Sequence, residues 1–554
     1  MSKPTLVLLW ALVLTLSACA DPADSLDGAT DAAGDAPHAQ RDAGGAGPQA
    51  DTGTDVSARD VVADQGDDAH DGNDSAPPDA PQDSTPPYGW IAPPDGELSP
   101  VLASQTWRTH FAEDILPYWT HPDALGDPMG NFPTHRGMDG AAQTPSTRRP
   151  RMIARQIHTY VVGYLLTGDP DLLEYAGAGF DWLLEHAFEP STGTCVAQLS
   201  SDGAPLRSEA RTAQDQAYCA LGFASWFFLT RDPAAEAALL AIRDSLFDEA
   251  EYWDGEEGRI RDALTDDLRD EVDVDGDDGW ELVAQLDAVN AFLLLVQPVL
   301  TEPARRAQLL GDLRVLGQVM VDHFHQDGTF WGVHNQRGVF GSRHADFGHG
   351  LKTFWMLLQI DKRLPEHPFK ALLDAEMGPA IDRAYDPQFG RWAKRPASAT
   401  TVEYGSDWWI YAEADQAAAT WNLRNHARTR ELERTWAGWR RDYVDRGRDV
   451  REVVPSIDRE GRWVWDWTDD DTAKCNAWKN GFHAAEHALV GTLVGGHLGK
   501  EPVALHFAPV SSAAEPAMRP YVFEGSVDTR EVSDVVQVRG RELRPTLVTF
   551  RQIW

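Results

Sequence analysis

Cysteine is scarce: there are four in 554 residues. Beyond Cys19 only Cys195, Cys219 and Cys475 remain, which allows at most one disulfide among them. Cys195 with Cys219 is one option in an oxidising compartment, and no CxxC pair is available to hold a metal. Basic residues are also in short supply, with 49 Lys and Arg against 87 Asp and Glu, for a net charge of −38. Nucleic acid needs a basic surface, so it is excluded as a partner. Electrostatic capture of acidic polymers is excluded for the same reason. A neutral substrate fits this charge.

The N-terminal apolar run is short as well. Lys3 precedes an apolar core from Leu6 to Leu16, and Leu16-Ser-Ala-Cys19 closes it. A core this short, ended by small residues, is an export signal over residues 1–18 rather than a membrane span. L-S-A-C resembles the bacterial lipobox. That resemblance implies cleavage before Cys19, lipidation of its thiol and a membrane tether. Ala20 after the cysteine favours the outer membrane within the cell envelope. From residue 20 to 95 the chain holds 17 Asp and two Arg, with no Glu and no Lys. This stretch carries −15, leaving −23 for the remaining residues. Mostly Ala, Gly, Pro and Ser otherwise, it buries too little apolar area to offset ordering entropy. Residues 19–97 are therefore expected to be a self-repelling acidic spacer.

Residues 98–500 are rich in helical periodicity. Twelve segments centre roughly on residues 107, 157, 178, 217, 240, 289, 313, 353, 375, 415, 435 and 487. Some, such as Ala217 to Leu229 and Val289 to Val299, are apolar nearly all round, whereas Leu309 to Phe324 has one apolar stripe. That alternation predicts an inner and an outer layer. The fold expected is all-α, an (α/α)6 barrel of six helical hairpins. Residues 501–554 change period. Val503–Phe507, Tyr521–Phe523, Val535–Val538 and Thr546–Phe550 have strand-like patterns and predict a small C-terminal β cap, in which no chemistry is evident.

Chemistry-bearing residues cluster at the starts of the inner helices. Arg155 is a cation in an apolar helix and needs a buried partner or a polar ligand. Asp215 opens Gln214-Asp-Gln-Ala-Tyr218, where it serves either a ligand hydroxyl or the helix N-terminus. His349 and Lys352 share a face in Asp346-Phe-Gly-His-Gly-Leu-Lys352. Trp408, Trp409 and Glu413 stand in Asp407-Trp-Trp-Ile-Tyr-Ala-Glu413, where flat indoles suit sugar rings and the carboxylate can accept from hydroxyls. His483, Glu486 and His487 share a helix face in Trp478-Lys-Asn-Gly-Phe-His-Ala-Ala-Glu-His487, a grouping suited to proton transfer or metal binding. The acidic run Glu271–Gly279 lacks a calcium-loop register and reads as a solvated loop.

The order and spacing of these motifs, from about residue 100 to 496, resemble the N-acylglucosamine 2-epimerase family, which includes cellobiose 2-epimerases and mannose isomerases. The resemblance implies the same barrel, no cofactor, and a central cleft for a small carbohydrate. It also implies that Arg155 polarises the sugar carbonyl while His349 and His483 act on the C2 proton, giving epimerisation or aldose–ketose isomerisation. The remaining polar residues, Trp408, Trp409, Glu413, Asp287, Lys352, Asp215, Glu486 and His487, are expected to contact the substrate. Where the family carries a further His with a Glu three residues later, this chain has Asp287 and Asn290. Lys352 replaces the Glu that usually follows the Gly-His. Three other readings stay in play, the first of them on these exchanges. One is a surface glycan-binding lipoprotein without turnover. Another is a barrel glycosidase using Asp287 and Glu413. The third is a zinc peptidase built on His483-Ala-Ala-Glu-His487.

Overall fold

The computed structural model describes residues 88–143, 147–273, 279–464, 473–513 and 516–554. Cys19, the export signal, most of the acidic spacer and the middle of the Glu271–Gly279 run lie outside these residues. The centres of all twelve expected segments fall within observed helices. The described helices in chain order are α1 (Ser104–His110), the one-turn α2 (Leu116–Trp119), α3 (Pro150–Thr167), α4 (Pro170–Trp182), α5 (Ala213–Thr230), α6 (Pro233–Leu246), α7 (Leu282–Val296), α8 (Pro303–Val319), α9 (Phe347–Asp361), α10 (Lys370–Ala384), α11 (Trp408–Asn422), α12 (Thr429–Asp442) and α13 (Phe482–Leu498).

Six of these make an inner ring. α3 packs on α5, α5 on α7, α7 on α9, α9 on α11 and α11 on α13, and α13 returns to α3. Each inner helix has an outer partner: α4, α6, α8, α10 and α12 in turn, with α1 backing α13. This is the (α/α)6 barrel. The inner helices are apolar on nearly all sides because they are covered on nearly all sides, and α5 and α13 are buried almost throughout. Amphipathic α12 instead buries only Leu432, Thr435, Trp436, Gly438 and Trp439.

Local sequence sets the helix boundaries. In Thr167-Gly-Asp-Pro170, Gly168 ends α3 in the left-handed region at φ 71°, Asp169 caps the next helix by accepting from the Asp171 amide, and Pro170 begins α4. Gly222 of α5 sits against α3 so closely that a Cβ would meet the Ala154 Cα at 2.7 Å. Long connections at the N-terminal ends of the inner helices carry two-residue antiparallel ladders, such as His325–Gln326 with Thr329–Phe330.

At the C-terminal end, Val503–Phe507, Thr546–Arg551 and Ser526–Val532 form a three-stranded antiparallel sheet with Thr546–Arg551 in the middle. Val536–Val538 pairs with Arg541–Leu543 as a hairpin. Tyr521–Phe523, expected as a strand, is a buried irregular segment instead. It is tied to the C-terminal ends of the inner helices: Arg231, after α5, donates to the Ala517 carbonyl, and Arg363, after α9, donates to that of Val522 at 2.9 Å. The Tyr521 side chain reaches Glu486 of α13 rather than a neighbouring strand. The three described cysteines are buried free thiols; Cys195 and Cys219 are neighbours but not bonded covalently.

Candidate active site

The N-terminal turns of the inner helices converge, and so do their polar residues. α7 breaks its helical geometry at Asp287 (φ −53°, ψ −109°), which turns that carboxylate into the ring's centre. Asn290 makes the break tolerable: its amide donates to the Gln285 and Leu286 carbonyls at 2.8 and 2.9 Å. Asn290 is thus a buried repair of the kink and not a cleft group. Asp287 accepts from Gln214 Nε2 at 2.9 Å and from the Tyr218 hydroxyl.

Lys352 of α9 is the hub. Its ammonium lies 2.6 Å from Asp287 Oδ1 and 2.9 Å from Glu413 Oε1. The second Glu413 oxygen accepts from Trp355 Nε1 at 2.9 Å. Burial pushes the Glu413 carboxyl up, but Lys352 and His483 outweigh it and hold it at about 2. Burial drives Asp287 up as well, but Lys352, with Tyr218 and His349, together bring it well below the carboxylate range. Asp287, Lys352 and Glu413, expected to contact the sugar, form a buried charge set bonded to one another and to Gln214 and Trp355. The glycosidase reading loses its acid for the same reason, because Lys352 keeps both carboxyls ionised.

His483, at the start of α13, is buried, with Nδ1 3.3 Å from Glu413 Oε1. Burial, backed by the Arg155 and Lys352 cations, pushes its imidazole down to about 4 against the pull of Glu413. It is therefore held neutral at pH 7. His349 has another support: Asp346, the N-cap of α9, accepts from its backbone amide at 2.9 Å and holds its Nδ1 at 2.7 Å. That leaves Nε2 for a substrate proton. The half-buried Trp409 joins the two, its indole 4.6 Å from the His349 ring and 6.3 Å from the His483 ring. Trp408, one residue earlier, also lies 6.3 Å from the His483 ring, but it is buried beneath the Lys479 ammonium and has no ring contact with His349 among the described residues. Arg155 donates to the Trp478 carbonyl at 2.9 Å, and its guanidinium lies over the Tyr218 ring at 4.8 Å.

Two further expectations change. Asp215 is paired with Arg151 at 3.0 Å, and Arg151 in turn holds the Ala477 carbonyl and lies under Trp478. Asp215 therefore fixes the cleft rim through Arg151. His487 turns away from the centre. It meets Asp415 at 2.9 Å and packs edge-on against Trp107 and Trp439 of the outer layer. His483 and His487 do not converge, which removes the zinc-peptidase ligand pair. Among the described residues, Glu413, His483 and Glu486 alone bring three possible ligand atoms within 4.8 Å of one another. The Lys352 ammonium already supplies the cation beside Glu413, so the trio reads as a proton-transfer group and not a ligand set. Glu486 accepts from the Tyr521 hydroxyl at 2.6 Å. Sequence reasoning missed Tyr521, Gln214 and Tyr218 as members of this network. The last two were legible in Q-D-Q-A-Y, whereas nothing in the sequence links Tyr521 to α13.

A sequence profile described as N-acylglucosamine 2-epimerase (GlcNAc 2-epimerase) matches residues 132–484. The chain belongs to this family. It is therefore an enzyme of the sugar epimerase and isomerase class. Solved structures share the family's barrel. Cellobiose 2-epimerase from Spirochaeta thermophila DSM 6192 is 18% identical, with a TM-score of 0.60, covering 71% of this chain and 96% of its own. A D-mannose isomerase is 17% identical, with a TM-score of 0.60, over 72% of this chain and 99% of its own. Cellobiose 2-epimerase from Bacillus thermoamylovorans B4167 is 15% identical, with a TM-score of 0.59, over 70% and 98%. No curated protein matches the sequence significantly. The family match ends at Ala484, so Glu486, His487 and Tyr521 lie beyond it.

Proposed function

We propose that the barrel moves the C2 proton of an aldose, or of the reducing-end sugar of an oligosaccharide, by histidine acid/base chemistry. The carrying observation is that one indole, Trp409, borders both His349 and His483. A sugar laid on that face has an imidazole at each side. The ring opens to the free aldehyde. Neutral His483 removes the C2 proton, and the enediolate's negative charge is met by the Arg155 guanidinium. His349, steadied by Asp346, returns a proton to the opposite face of C2, which inverts that centre. Return to C1 would give a ketose instead. The Lys352 charge set keeps Glu413 ionised beside His483, so Glu413 faces the imidazolium as it forms. The protein's negative charge suits a neutral sugar, and the Cys19 lipid anchor would hold the enzyme at the cell envelope.

The full chain incubated in D2O with glucose, mannose, N-acetylhexosamines and cellobiose, followed by proton NMR, tests this. Deuterium at C2 that disappears in His483→Ala is the expected result. No exchange with any sugar, together with sugar-dependent change in Trp fluorescence, would replace catalysis with glycan binding.

A further inference from the structure

A two-base proton transfer leaves the enzyme in the wrong state. After one turnover His483 carries a proton and His349 has lost one, or the reverse. His349 has the half-buried Asp346 as its partner for proton exchange. His483 is buried and must be reset through groups inside the barrel. The neighbouring carboxylate placed to take the proton from His483, and to release it again by exchange with solvent before the next turnover, is Glu486, one helical turn deeper on α13. Its carboxyl lies within 4.8 Å of the His483 and Glu413 ligand atoms.

What holds Glu486 comes from outside the family match. The C-terminal segment enters from the far ends of the inner helices, and Tyr521 reaches the interior with its hydroxyl 2.6 Å from Glu486 Oε1. Its backbone is left-handed, at φ 62°, a conformation a bulky aromatic residue rarely adopts unless the surroundings impose it. Its ring is buried, 6.2 Å from that of His158. We propose that Tyr521 is a positioning residue whose hydroxyl holds the Glu486 carboxyl beside His483, so that Glu486 serves as the proton reservoir that resets His483 between turnovers. This rests on the proton-transfer reading above.

The other groups around Glu486 are consistent with that role. Glu413 and Gln416 face it from α11, Lys352 faces it from α9, His483 lies on its own helix, and α3 presents His158 behind Tyr521. Arg155 of α3 acts on His483, and Tyr218 and Asp287 of α5 and α7 lie across the centre around Lys352. Burial and then the Glu413 charge push the Glu486 carboxyl up to about 7, while the Tyr521 bond and Lys352 pull it down. A carboxyl poised near neutrality can both give and take a proton. The Tyr521 bond favours its ionised form.

The test compares the full chain with Tyr521→Phe and Glu486→Gln, each labelled with 13C-glutamate. Carboxyl titration is followed by difference infrared spectroscopy, and kcat for C2 exchange is measured against pH. A carboxyl midpoint near neutrality should vanish in E486Q and move up by about one pH unit in Y521F. The matching limb of the kcat profile should move with it. An unmoved midpoint and profile in a folded Y521F would overturn the proposal, as would a wild-type profile in E486Q. Should Y521F fail to fold, the near-isosteric E486Q still decides. If the wild type exchanges no sugar proton, the functional reading fails, while the infrared midpoint still reports on the Tyr521–Glu486 bond.

Discussion

The Lys352 ammonium lies 2.6 Å from Asp287 on the neighbouring inner helix and bridges it to Glu413 on the other side. Three inner helices are thereby joined through one buried cation. A lone Lys352 among apolar helices would be costly to bury, as would a lone Asp287. The two are physically one charge pair.

That pairing predicts a strong coupling. Lys352→Met leaves two carboxylates buried without their cation and should destabilise the fold by about 3–5 kcal/mol, with loss of C2 exchange. Adding Asp287→Asn should recover a large part of the stability. Urea unfolding of the two single variants and the double variant measures this. Strictly additive effects would show that Lys352 and Asp287 do not act as a pair.

Stability should fall in mild acid. Burial holds His110 at about 4, His158 at about 3, His483 at about 4 and His497 at about 4, all below the ordinary 6.5. Between pH 6.5 and 4 the unfolded chain binds protons at these sites and the folded chain does not, so stability drops as pH falls through that window. Glu486, held up at about 7, works the other way: folded protein takes its proton below pH 7, before the unfolded chain does. The four histidines outweigh Glu486 and lower stability as pH falls, while raised buried carboxyls such as Asp262 and Glu452 act with Glu486 and soften that fall. Urea midpoints measured from pH 7 to pH 4.5 should decline throughout. A flat profile would mean that these imidazoles are not held neutral.

Trp409 should matter to sugar binding and Trp408 to folding. Trp409→Ala removes the indole beside both histidines and should lower kcat/KM for C2 exchange about tenfold or more, with little change in unfolding midpoint. Trp408→Ala empties a buried site and should cost about 3–5 kcal/mol of stability. Steady-state kinetics and thermal melts of the two variants separate the roles. Equal effects at both positions would contradict the assignment of one face to substrate.

Much of the fold was legible without coordinates. The alternation of all-round apolar helices with striped ones follows from burial, since an inner helix is covered on every side and an outer helix on one. Gly168, Asp169 and Pro170 mark a helix boundary by local conformational preference alone. His349 and His483 were likewise readable as candidates, because motif spacing places each at the start of an inner helix.

Direction and partnership were not readable. His483 and His487 share a helix face by spacing, yet one meets Glu413 and the other Asp415 and the outer-layer indoles. A helix of the inner ring is flanked on both sides, and small differences in azimuth decide which neighbour a side chain meets. Trp408 and Trp409 parted in the same way, and Asn290 was claimed by carbonyls that only a helix break exposes. Tyr521 is the extreme case: it meets a partner 35 residues away along the chain, from a short β-type run that suggested a strand. Sequence by itself determined which residues are buried and on which helices, because periodicity and local propensity are encoded along the chain. Tertiary structure alone decided which charges pair across the ring, because those contacts join helices that the chain order holds far apart.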